Sequence, residues 1–596
     1  MHLSNQVIRA GTGLTALTLL ATGAIAAPPG LWSHHRSLTQ TDGMAPVMRC
    51  ADLAGLQIDN TTISSARLVR TASRPSSLYP AAGPEPEHCE VNGEISPRTG
   101  VVDPDNGSDQ YGVKFQLNLP TGWNGRFFYQ GGGGGDGMIM PATGPITSQS
   151  SATQTPALWR GYAVVSTNGG HSSIETKAGF GVDPQARVDY GYASIGKTTP
   201  VAKAIIAAYY GSAPAHSYFI GCSKGGQEAM QASQKYGDQF DGIVAGDPGY
   251  RLPYAAIAES YVTQTLAATA QQMRPHALDR NTGKPLLWAA FSQSDLDLVV
   301  HGVLKVCDAL DGLSDNMILN PRACAGKFDP ATLQCARAKT ASCLAPVQVD
   351  ALKKMFAPLK DSQGKPVYAD WPYDSGIASS GFEGGWTNWR LGFHGTRTNL
   401  AFNTTLAQSS TSYLFTTPPN PDLSVFDITV DDFLANINAT GTDPTTGVDY
   451  SRSAVDFMVA DSTDLDALKS HGGKLLIYHG QSDPVFSFDD TVAYVDRLTA
   501  AYGEQTPDFV RFFPVPGMNH CTGGDYATDS FDTLTAIVDW VEDDVAPDAL
   551  VATSGHPSSS RLPAGLTRPL CAWPEVAQYD GHGDPDSAAS FSCTAP

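Results

Sequence analysis

Residues 221–225 read Gly-Cys-Ser-Lys-Gly, which is the G-x-S-x-G form that presents a serine nucleophile. Apolar residues at 218–220 precede this pentapeptide, and residues 227–230 favour helix. The serine of such a motif lies on a sharp strand-to-helix turn, so its neighbours must lack bulk, as Gly221 and Gly225 do. We therefore predict that Ser223 attacks acyl groups. An ordinary serine in a glycine-rich turn is the alternative.

A serine nucleophile needs a base and an orienting acid, and in α/β-hydrolases these follow the serine in the order Asp, then His. Asp483 lies in a turn directly after a predicted strand at 475–478, and His520 directly follows the next predicted strand. We predict Ser223, His520 and Asp483 as nucleophile, base and acid. His479 and His471 are alternative bases, but their positions favour structural or solvated roles.

Two cysteines flank this predicted triad, because Cys222 precedes the serine and Cys521 follows the histidine. If Ser223 and His520 are within hydrogen-bond reach, the Cα atoms of their neighbours fall in the window of roughly 4.4 to 6.8 Å that a disulfide requires. We therefore predict a Cys222–Cys521 disulfide, which excludes a thiol nucleophile. The alternative is that each cysteine pairs elsewhere or stays free.

The ten cysteines form an even set, which is typical of five disulfides in an oxidising compartment. No C-x-x-C pair is present, so zinc binding is the weaker interpretation. Spacing alone does not fix the pairing, although Cys307 with Cys324 and Cys571 with Cys593 would close small loops.

The oxyanion of an acyl-transfer reaction needs backbone N–H donors. The amide of Lys224 is the first donor by position, and the glycine-rich residues 130–137 are the natural source of the second. We predict Gly131 or Gly132 for that role. A flexible structural loop is the alternative, and a dinucleotide-binding pattern does not fit these glycines.

An acidic turn at residues 307–317 places three carboxylates within eight residues. Calcium is the expected counter-ion, because it accepts several hard oxygen ligands, including backbone carbonyls. The predicted ligands are the side chains of Asp308, Asp311 and Asp315 and the carbonyls of Leu313 and Met317. The spacing is not that of an EF-hand, and a solvated turn with Asx hydrogen bonds is the alternative.

Short apolar strands alternate with helical stretches over residues 113–245 and again from residue 474, which predicts an α/β fold. The intervening segment breaks this rhythm. We predict a core domain at 27–251 and 471–596, split by a lid domain at 252–470. Residues 1–26 have the positive start, apolar stretch and small-residue end of a signal peptide, although a buried N-terminal helix is possible. Export to a secreted or periplasmic location is expected.

The 596 residues are 41% hydrophobic and 16% charged, a globular composition. The formal net charge of −21 excludes nucleic acids and anionic membrane surfaces as expected partners. No apolar run beyond the N-terminus is long enough to span a bilayer. Small molecules and neutral polymers remain as substrates.

The motifs together resemble the tannase and feruloyl esterase family. The matching pieces are residues 221–226 (Gly-Cys-Ser-Lys-Gly-Gly), 241–246 (Asp-Gly-Ile-Val-Ala-Gly), 307–312 (Cys-Asp-Ala-Leu-Asp-Gly), the Asp483 turn and 516–521 (Pro-Gly-Met-Asn-His-Cys). The resemblance implies an α/β-hydrolase core, a lid inserted between serine and acid, a lid calcium site and the Cys222–Cys521 bond. It also implies the pairs Cys50–Cys89, Cys307–Cys324, Cys335–Cys343 and Cys571–Cys593.

Members of this family hydrolyse esters of aromatic acids, and the lid selects among them. The aromatic residues that we expect to hold the acyl ring are Trp386, Trp389, Phe393 and Phe415, with packing in the lid core as the alternative. Arg390 and Arg397 are candidates for a substrate carboxylate.

In a family member that cleaves a terephthalate monoester, an arginine shortly before a Thr-Pro-Pro stretch contacts that carboxylate. Residues 408–415 ahead of Thr417-Pro418-Pro419 have no arginine, which favours gallate or hydroxycinnamate esters over mono(2-hydroxyethyl) terephthalate. Two hypotheses of a different kind stay open at this point: a catalytically silent protein that binds polyphenols or polysaccharides, and a secreted serine peptidase.

Overall fold

The computed structural model describes residues 43–147, 154–174, 176–380, 384–556 and 560–596. The predicted signal peptide at 1–26 lies outside these residues. Within the described ranges, no helix combines the length and the apolar character that crossing a bilayer requires.

The strands in the described residues are β1 (Thr61–Val69), β2 (His88–Thr99), β3 (Gln110–Pro120), β4 (Arg126–Gln130), β5 (Ala163–Thr167), β6 (His216–Cys222), β7 (Gly242–Gly246), β8 (Leu359–Lys360), β9 (Pro366–Tyr368), β10 (Gly441–Thr442), β11 (Asp449–Tyr450), β12 (Lys474–Gly480), β13 (Val510–Val515), β14 (Ala549–Ala552), β15 (Arg568–Cys571), β16 (Val576–Tyr579) and β17 (Phe591–Thr594).

The α-helices are α1 (Pro184–Val188), α2 (Ser194–Tyr210), α3 (Lys224–Lys235), α4 (Leu252–Met273), α5 (Gln293–Cys307), α6 (Pro321–Cys324), α7 (Pro346–Met355), α8 (Phe402–Tyr413), α9 (Val430–Asn438), α10 (Ala454–Met458), α11 (Asp466–His471), α12 (Phe488–Tyr502) and α13 (Thr533–Asp543). Short π-helical segments at Asp189–Ala193 and Thr387–Leu391 and a 3₁₀ turn at Asp308–Asp311 border the candidate sites.

One mixed sheet organises the molecule, with nine strands in the order β1-β2-β3-β5-β4-β6-β7-β12-β13. The strands β5, β4, β6, β7, β12 and β13 run parallel to one another, and β1, β2 and β3 form an antiparallel extension. Parallel strands end at the same edge of a sheet. The loops that follow β6, β7, β12 and β13 therefore lie at one edge, where α/β sheets bind their ligands.

Helices cover both faces of this sheet, which is why its parallel strands are apolar along their whole length. Ile205 of α2, Met230 of α3 and Leu498 of α12 belong to the core on one face. Ile537 and Trp540 of α13 belong to the core on the other face. The α/β-hydrolase architecture predicted from the sequence is confirmed.

The segment from α4 to α11 enters the chain between β7 and β12, and its described residues contribute no strand to the nine-stranded sheet. Residues of α4, α5 and α7, among them Leu266, Val303 and Leu352, build a second core there, which Phe180 and Tyr190 of the main domain join. The predicted lid boundary at residue 470 is late, because Leu465 and Leu468 pack into the core beneath the main sheet.

The described residues contain five disulfides and no free cysteine. The pairs, with their Cα–Cα distances, are Cys50–Cys89 (5.5 Å), Cys222–Cys521 (6.0 Å), Cys307–Cys324 (5.2 Å), Cys335–Cys343 (5.0 Å) and Cys571–Cys593 (5.6 Å). These are the pairs that the family resemblance implies.

Candidate active site

Ser223 occupies a strained turn between β6 and α3, with φ 64° and ψ −120°. Glycine is required on both sides of this turn. A Cβ atom at Gly221 would lie 2.4 Å from the carbonyl oxygen of Gly225, and one at Gly225 would lie 2.6 Å from the carbonyl oxygen of Gly132. The two glycines let strand and helix approach closely enough to project the serine from the end of the sheet.

The three residues predicted to act together are joined by hydrogen bonds. His520 Nε2 lies 2.7 Å from Ser223 Oγ, and His520 Nδ1 lies 2.8 Å from Asp483 Oδ2. Each residue follows the carboxyl end of a different parallel strand: β6, β12 or β13. The sheet topology therefore brings together residues that are almost three hundred positions apart.

Asp483 is fully buried, and its carboxyl group remains ionised in the hydrogen-bonded series Ser223–His520–Asp483. Burial alone would raise its pKa, but His520 and His479 beside the carboxylate hold the pKa well below its ordinary value. The backbone N–H groups of Val485 and Phe486 donate to Asp483 Oδ1 and fix the carboxylate plane. One oxygen of Asp483 is thereby left to receive the proton on His520 Nδ1.

The alternative bases lie elsewhere. His479 has no exposed surface, its Nδ1 is 2.8 Å from Thr491 Oγ1, and its Nε2 is 3.3 Å from Asp483 Oδ2, the oxygen that His520 also contacts. His471 is at the surface beside Asp241. Neither residue reaches Ser223, so His520 is the base candidate.

The Cys222–Cys521 bond joins the nucleophile turn to the base loop across 299 residues of sequence. Replacing both cysteines by serine is expected to destabilise the fold by about 5 kcal/mol, because the loop that the bond closes is long. We also expect kcat to fall, since two loops that carry reacting groups lose their link. Denaturant unfolding and steady-state kinetics measure the two effects.

The matched control is the Cys335–Cys343 pair, which closes a loop of 8 residues in the inserted segment. Its removal should cost about half as much stability and leave kcat unchanged. Equal kcat values for the two double variants would contradict the assigned role of the long-range bond.

The predicted oxyanion donors differ in their availability. Lys224 is the first residue of α3, so its N–H has no helical acceptor and lies beside the serine. The N–H of Gly131 instead donates to the carbonyl of Ile220 at 2.9 Å, and the N–H of Gly132 donates to the Glu228 carboxylate at 2.9 Å. The prediction is therefore wrong for the Gly131 amide, because that amide extends the β4–β6 ladder. The Gly132 amide can serve only by exchanging its acceptor.

A buried charge cluster holds the glycine loop under the nucleophile. Lys224 Nζ lies 2.8 Å from Glu228 Oε1, 3.6 Å from Asp136 Oδ2 and 4.4 Å from the centre of the Tyr190 ring. Asp136 accepts the N–H of Gly133. Burial and the nearby Glu228 raise the pKa of Asp136 well above its ordinary value. The single positive charge of Lys224 can therefore balance the negative charge of the cluster. Through Asp136 and Glu228, the Lys224 side chain also supports the glycine loop.

A cavity of about 470 Å³ opens over Ser223 and His520. Trp389 and Phe415 line it, as predicted. The Trp389 ring stands edge-on to the His520 imidazole at 5.0 Å, and the Phe486 ring lies at 5.3 Å. The space beside the candidate nucleophile is therefore walled by aromatic rings, a shape and polarity that suit a planar apolar group.

Two of the predicted substrate contacts lie outside this cavity. Trp386 is 2% exposed and packs behind the wall, where its ring stacks on Phe356. Phe393 is 46% exposed on the outer surface, beyond the π-helical turn that carries Trp389. These predictions are wrong because residues spaced along an irregular turn point to different sides, and the spacing alone does not say which side meets the cavity.

The two arginine candidates also lie away from the cavity lining. Arg390 is buried, pairs with Glu259 at 3.2 Å and donates to the Pro484 carbonyl at 2.9 Å. It therefore braces the acid loop. Arg397 lines a separate surface groove beside Trp288.

The family model described as "Tannase and feruloyl esterase" matches residues 89–594, most of the chain. The chain belongs to this family. A mono(2-hydroxyethyl) terephthalate hydrolase from Piscinibacter sakaiensis is 43% identical over 540 residues, which are 86% of this chain and 85% of that protein. The family model and this relative are both named for ester hydrolysis, and the chain is a carboxylic ester hydrolase.

Solved structures share the fold of this family member. Feruloyl esterase B from Aspergillus oryzae aligns with a TM-score of 0.71 at 22% identity, over 91% of this chain and 99% of that one. Tannin acyl hydrolase from Aspergillus niger aligns with a TM-score of 0.63 at 20% identity, over 90% and 92%.

The acidic turn of this tannase-family chain is folded around its own carboxylates. Asp308 Oδ1 accepts two backbone N–H groups, Asp311 accepts those of Leu313 and Leu319, and Asp315 receives a hydrogen bond from the buried Arg568. Burial and repulsion from the two other carboxylates raise the pKa of Asp311 to about 7.

Three carboxylates face one guanidinium at this turn, so two negative charges remain uncompensated when all are ionised, which suits a divalent cation. The oxygens are more widely spaced than in a tight ligand cluster. Within the described ranges, sets of three His, Cys, Asp or Glu side chains with ligand atoms within 4.8 Å of one another occur elsewhere. The three aspartates of this turn do not form such a set.

Sequence reasoning missed several cavity residues. Phe180 and Tyr190 come from the first half of the core domain, Phe402 begins α8, and Phe486 follows the acid. The position of Phe486 three residues after Asp483 is a usable signal, because the acid loop borders the site. Nothing in the sequence around Phe180 or Tyr190 distinguishes them from core aromatics.

Proposed function

We propose that this esterase is an exported hydrolase of aromatic acid esters that works through an acyl-enzyme on Ser223. The observation that carries the proposal is the continuous hydrogen-bonded chain Ser223–His520–Asp483 at the floor of an aromatic-walled cavity. The family membership supports ester chemistry on such acids.

In the first half-reaction Ser223 Oγ attacks the ester carbonyl carbon while its proton passes to His520 Nε2. Asp483 holds the proton on Nδ1 and stabilises the imidazolium that forms. The tetrahedral intermediate collapses, its C–O bond to the alcohol breaks, and the alkoxide leaves with the proton from Nε2. Water then repeats the sequence against the acyl-enzyme and releases the acid.

The developing oxyanion would lie at the N-terminus of α3, where the Lys224 amide faces the cavity. The helix dipole favours negative charge there, and the site is shielded from water by the aromatic wall. A second donor from the glycine loop would require the Gly132 N–H to leave Glu228.

The acyl group that suits the cavity is a flat ring, because Trp389, Phe415 and Phe486 offer broad apolar faces close to the nucleophile. Gallate, hydroxycinnamate and terephthalate share this shape. Residues 408–415 lack the arginine expected for a substrate carboxylate, which supports the phenolic acids.

The terephthalate monoester is the second candidate, because the relative at 43% identity is named for it. The cavity also offers one loosely held cation. Lys177 lines the cavity, has a side chain that is 48% exposed, and meets Asp105 only at 3.7 Å. A substrate carboxylate could displace that contact.

A substrate panel tests the proposal. Purified protein is assayed with methyl gallate, methyl ferulate, mono(2-hydroxyethyl) terephthalate and a peptide amide, and a serine-directed phosphonate is then used to label the active residue for mass spectrometry. We expect turnover of at least one aromatic ester, none of the peptide, and the label on Ser223. Absence of ester turnover would favour a silent polyphenol- or polysaccharide-binding protein, and preferred peptide cleavage would favour a peptidase.

We further propose that calcium binds the acidic turn, with Asp308, Asp311 and Asp315 as side-chain ligands and the carbonyls of Leu313 and Met317 completing the set. Its contribution is structural. The turn packs against the C-terminal segment, where Met317 and Leu319 share a small core with Cys571 and Phe591. Neutralising the carboxylates would hold the insert to the core domain.

Removal of calcium is therefore expected to lower the melting temperature by about 5 °C, because the ion stabilises only the folded state. Calorimetry before and after exhaustive chelation measures the change, and added Ca²⁺ should reverse it. Asp311→Asn, which removes one ligand charge, should weaken the response. An unchanged melting temperature in the unsubstituted protein would contradict the site.

Export is supported by the five disulfides, because such bonds persist in oxidising compartments. The signal-like residues 1–26 agree with it.

A further inference from the structure

Asp247 is a buried acid that the triad mechanism does not use. It follows β7 in the sequence Gly-Asp-Pro-Gly at 246–249, has no exposed surface, and adopts a φ of 36°. A left-handed backbone in a residue other than glycine is strained, and the surrounding contacts must stabilise it. Strain of this kind frequently marks residues whose side chain has a defined task.

The Asp247 side chain contacts all three loops that carry the triad. Its Oδ1 accepts the Gly480 N–H at 2.8 Å, at the start of the acid loop. Its carboxyl group also accepts the N–H of Cys521, next to the base. Its Oδ2 lies 3.5 Å from Cys222 Sγ, next to the nucleophile.

The backbone around Asp247 connects the same elements. The Asp247 N–H donates to the Tyr478 carbonyl of β12 at 2.9 Å, and the carbonyl of Gly246 accepts the Ser223 N–H at 3.0 Å. Strand β7 lies between β6 and β12, so the residue at its end can reach both neighbouring loops.

Asp247 also lies directly behind the acid of the triad. Oxygen atoms of Asp247 and Asp483 and a ring nitrogen of His479 all fall within 4.8 Å of one another. His479 Nε2 is 3.8 Å from Asp247 Oδ1, and the sulfur of Cys222 lies beside Oδ2. Tyr478 is the other titratable neighbour, because burial and the Asp247 carboxyl group raise the pKa of its hydroxyl. Burial and the charge of Asp483 raise the pKa of Asp247 well above its ordinary value, while that of Asp483 is lowered. These opposite pKa shifts favour a proton on Asp247 rather than on Asp483.

We propose that Asp247 is a positioning residue: its neutral carboxyl group hydrogen-bonds Asp483 and holds the Gly480 and Cys521 amides, which aligns acid and base on the nucleophile. The inference rests on the proposed function, because alignment matters only if Ser223, His520 and Asp483 act together. A geometric error of about 1 Å in such a triad lowers the rate about 100-fold.

The test compares Asp247→Asn with Asp247→Ala on an aromatic ester that the unsubstituted protein hydrolyses. Asparagine keeps one donor for Asp483 and one acceptor for the amides, so kcat of Asp247→Asn should stay within about 3-fold of the unsubstituted value. Asp247→Ala should lose about 100-fold in kcat, with KM little changed. If the alanine variant does not fold, Asp247→Ser, which is too short to reach both amides, replaces it. Asp295→Asn, which breaks the ion pair of the buried Asp295 with the partly exposed Lys339 in the insert, controls for lost stability without lost alignment.

The pH profile of Asp247→Asn separates positioning from charge. If Asp247 is neutral, the acid limb of kcat/KM should not move. If Asp247 were ionised, the substitution would remove a negative charge that favours the imidazolium, and the acid limb would move to lower pH. That shift, or equal kcat losses in the asparagine and alanine variants, would overturn the proposal. The proposed function is tested separately, by ester turnover in the unsubstituted protein and its loss in Ser223→Ala. If both are observed, a negative result for Asp247 contradicts only the positioning role.

Discussion

Replacing Ser223 by alanine is expected to lower kcat for an aromatic ester about 10⁶-fold, because no other group replaces the attacking oxygen. The cavity and its aromatic wall remain, so substrate should still bind with an affinity close to that of the unsubstituted protein. Stopped-flow kinetics with a chromogenic ester measures both, since the burst of alcohol that reports acyl-enzyme formation should vanish while bound substrate persists.

Ser233 provides the matched control for this substitution. It lies on α3, has no exposed surface, and donates to the Met230 carbonyl away from the cavity. Ser233→Ala should keep kcat and KM. Substantial turnover by Ser223→Ala would place the nucleophile at another residue and remove the proposed mechanism.

Replacing Asp483 by asparagine is expected to lower kcat about 10⁴-fold. In one amide orientation the asparagine oxygen receives His520 Nδ1–H, but its NH₂ group then opposes the N–H groups of Val485 and Phe486 that now donate to the carboxylate. In the other orientation the NH₂ group faces His520 and holds the imidazole in the tautomer with its proton on Nε2. That tautomer cannot accept the serine proton.

Steady-state kinetics on purified Asp483→Asn measures this loss, and KM should change little, since the carboxylate does not touch the cavity. Asp496→Asn, which alters an exposed carboxylate on α12, should leave both constants unchanged. A loss smaller than about 10-fold in Asp483→Asn would show that another group orients the base.

The meeting of Ser223, Asp483 and His520 could be predicted because each residue follows a strand of one parallel sheet in a fixed chain order, and parallel strands align those ends. The position of the insert between β7 and β12 could also be predicted, since the sheet pattern stops and resumes there. The geometry of Cys222 and Cys521 also follows from their neighbours, because a hydrogen bond between Ser223 and His520 brings the adjacent Cα atoms close.

Other parts of the site depend on contacts that local sequence does not encode. The direction of the Gly132 N–H is set by Glu228, which lies on a helix almost a hundred residues later. Trp386 and Phe393 flank an irregular turn, so their spacing does not determine which side of the turn each side chain occupies. The contacts of Asp247 with both neighbouring loops can be recognised only once β7 is known to lie between β6 and β12.

The Cys222–Cys521 bond has a consequence for proteolysis. Each half of the core domain contributes one of its sulfur atoms, and the insert lies within the loop between them. A protease that cuts once within the insert therefore produces two fragments that stay covalently joined. The nicked protein retains hydroxyl, imidazole and carboxylate on one connected scaffold until a reductant separates the fragments.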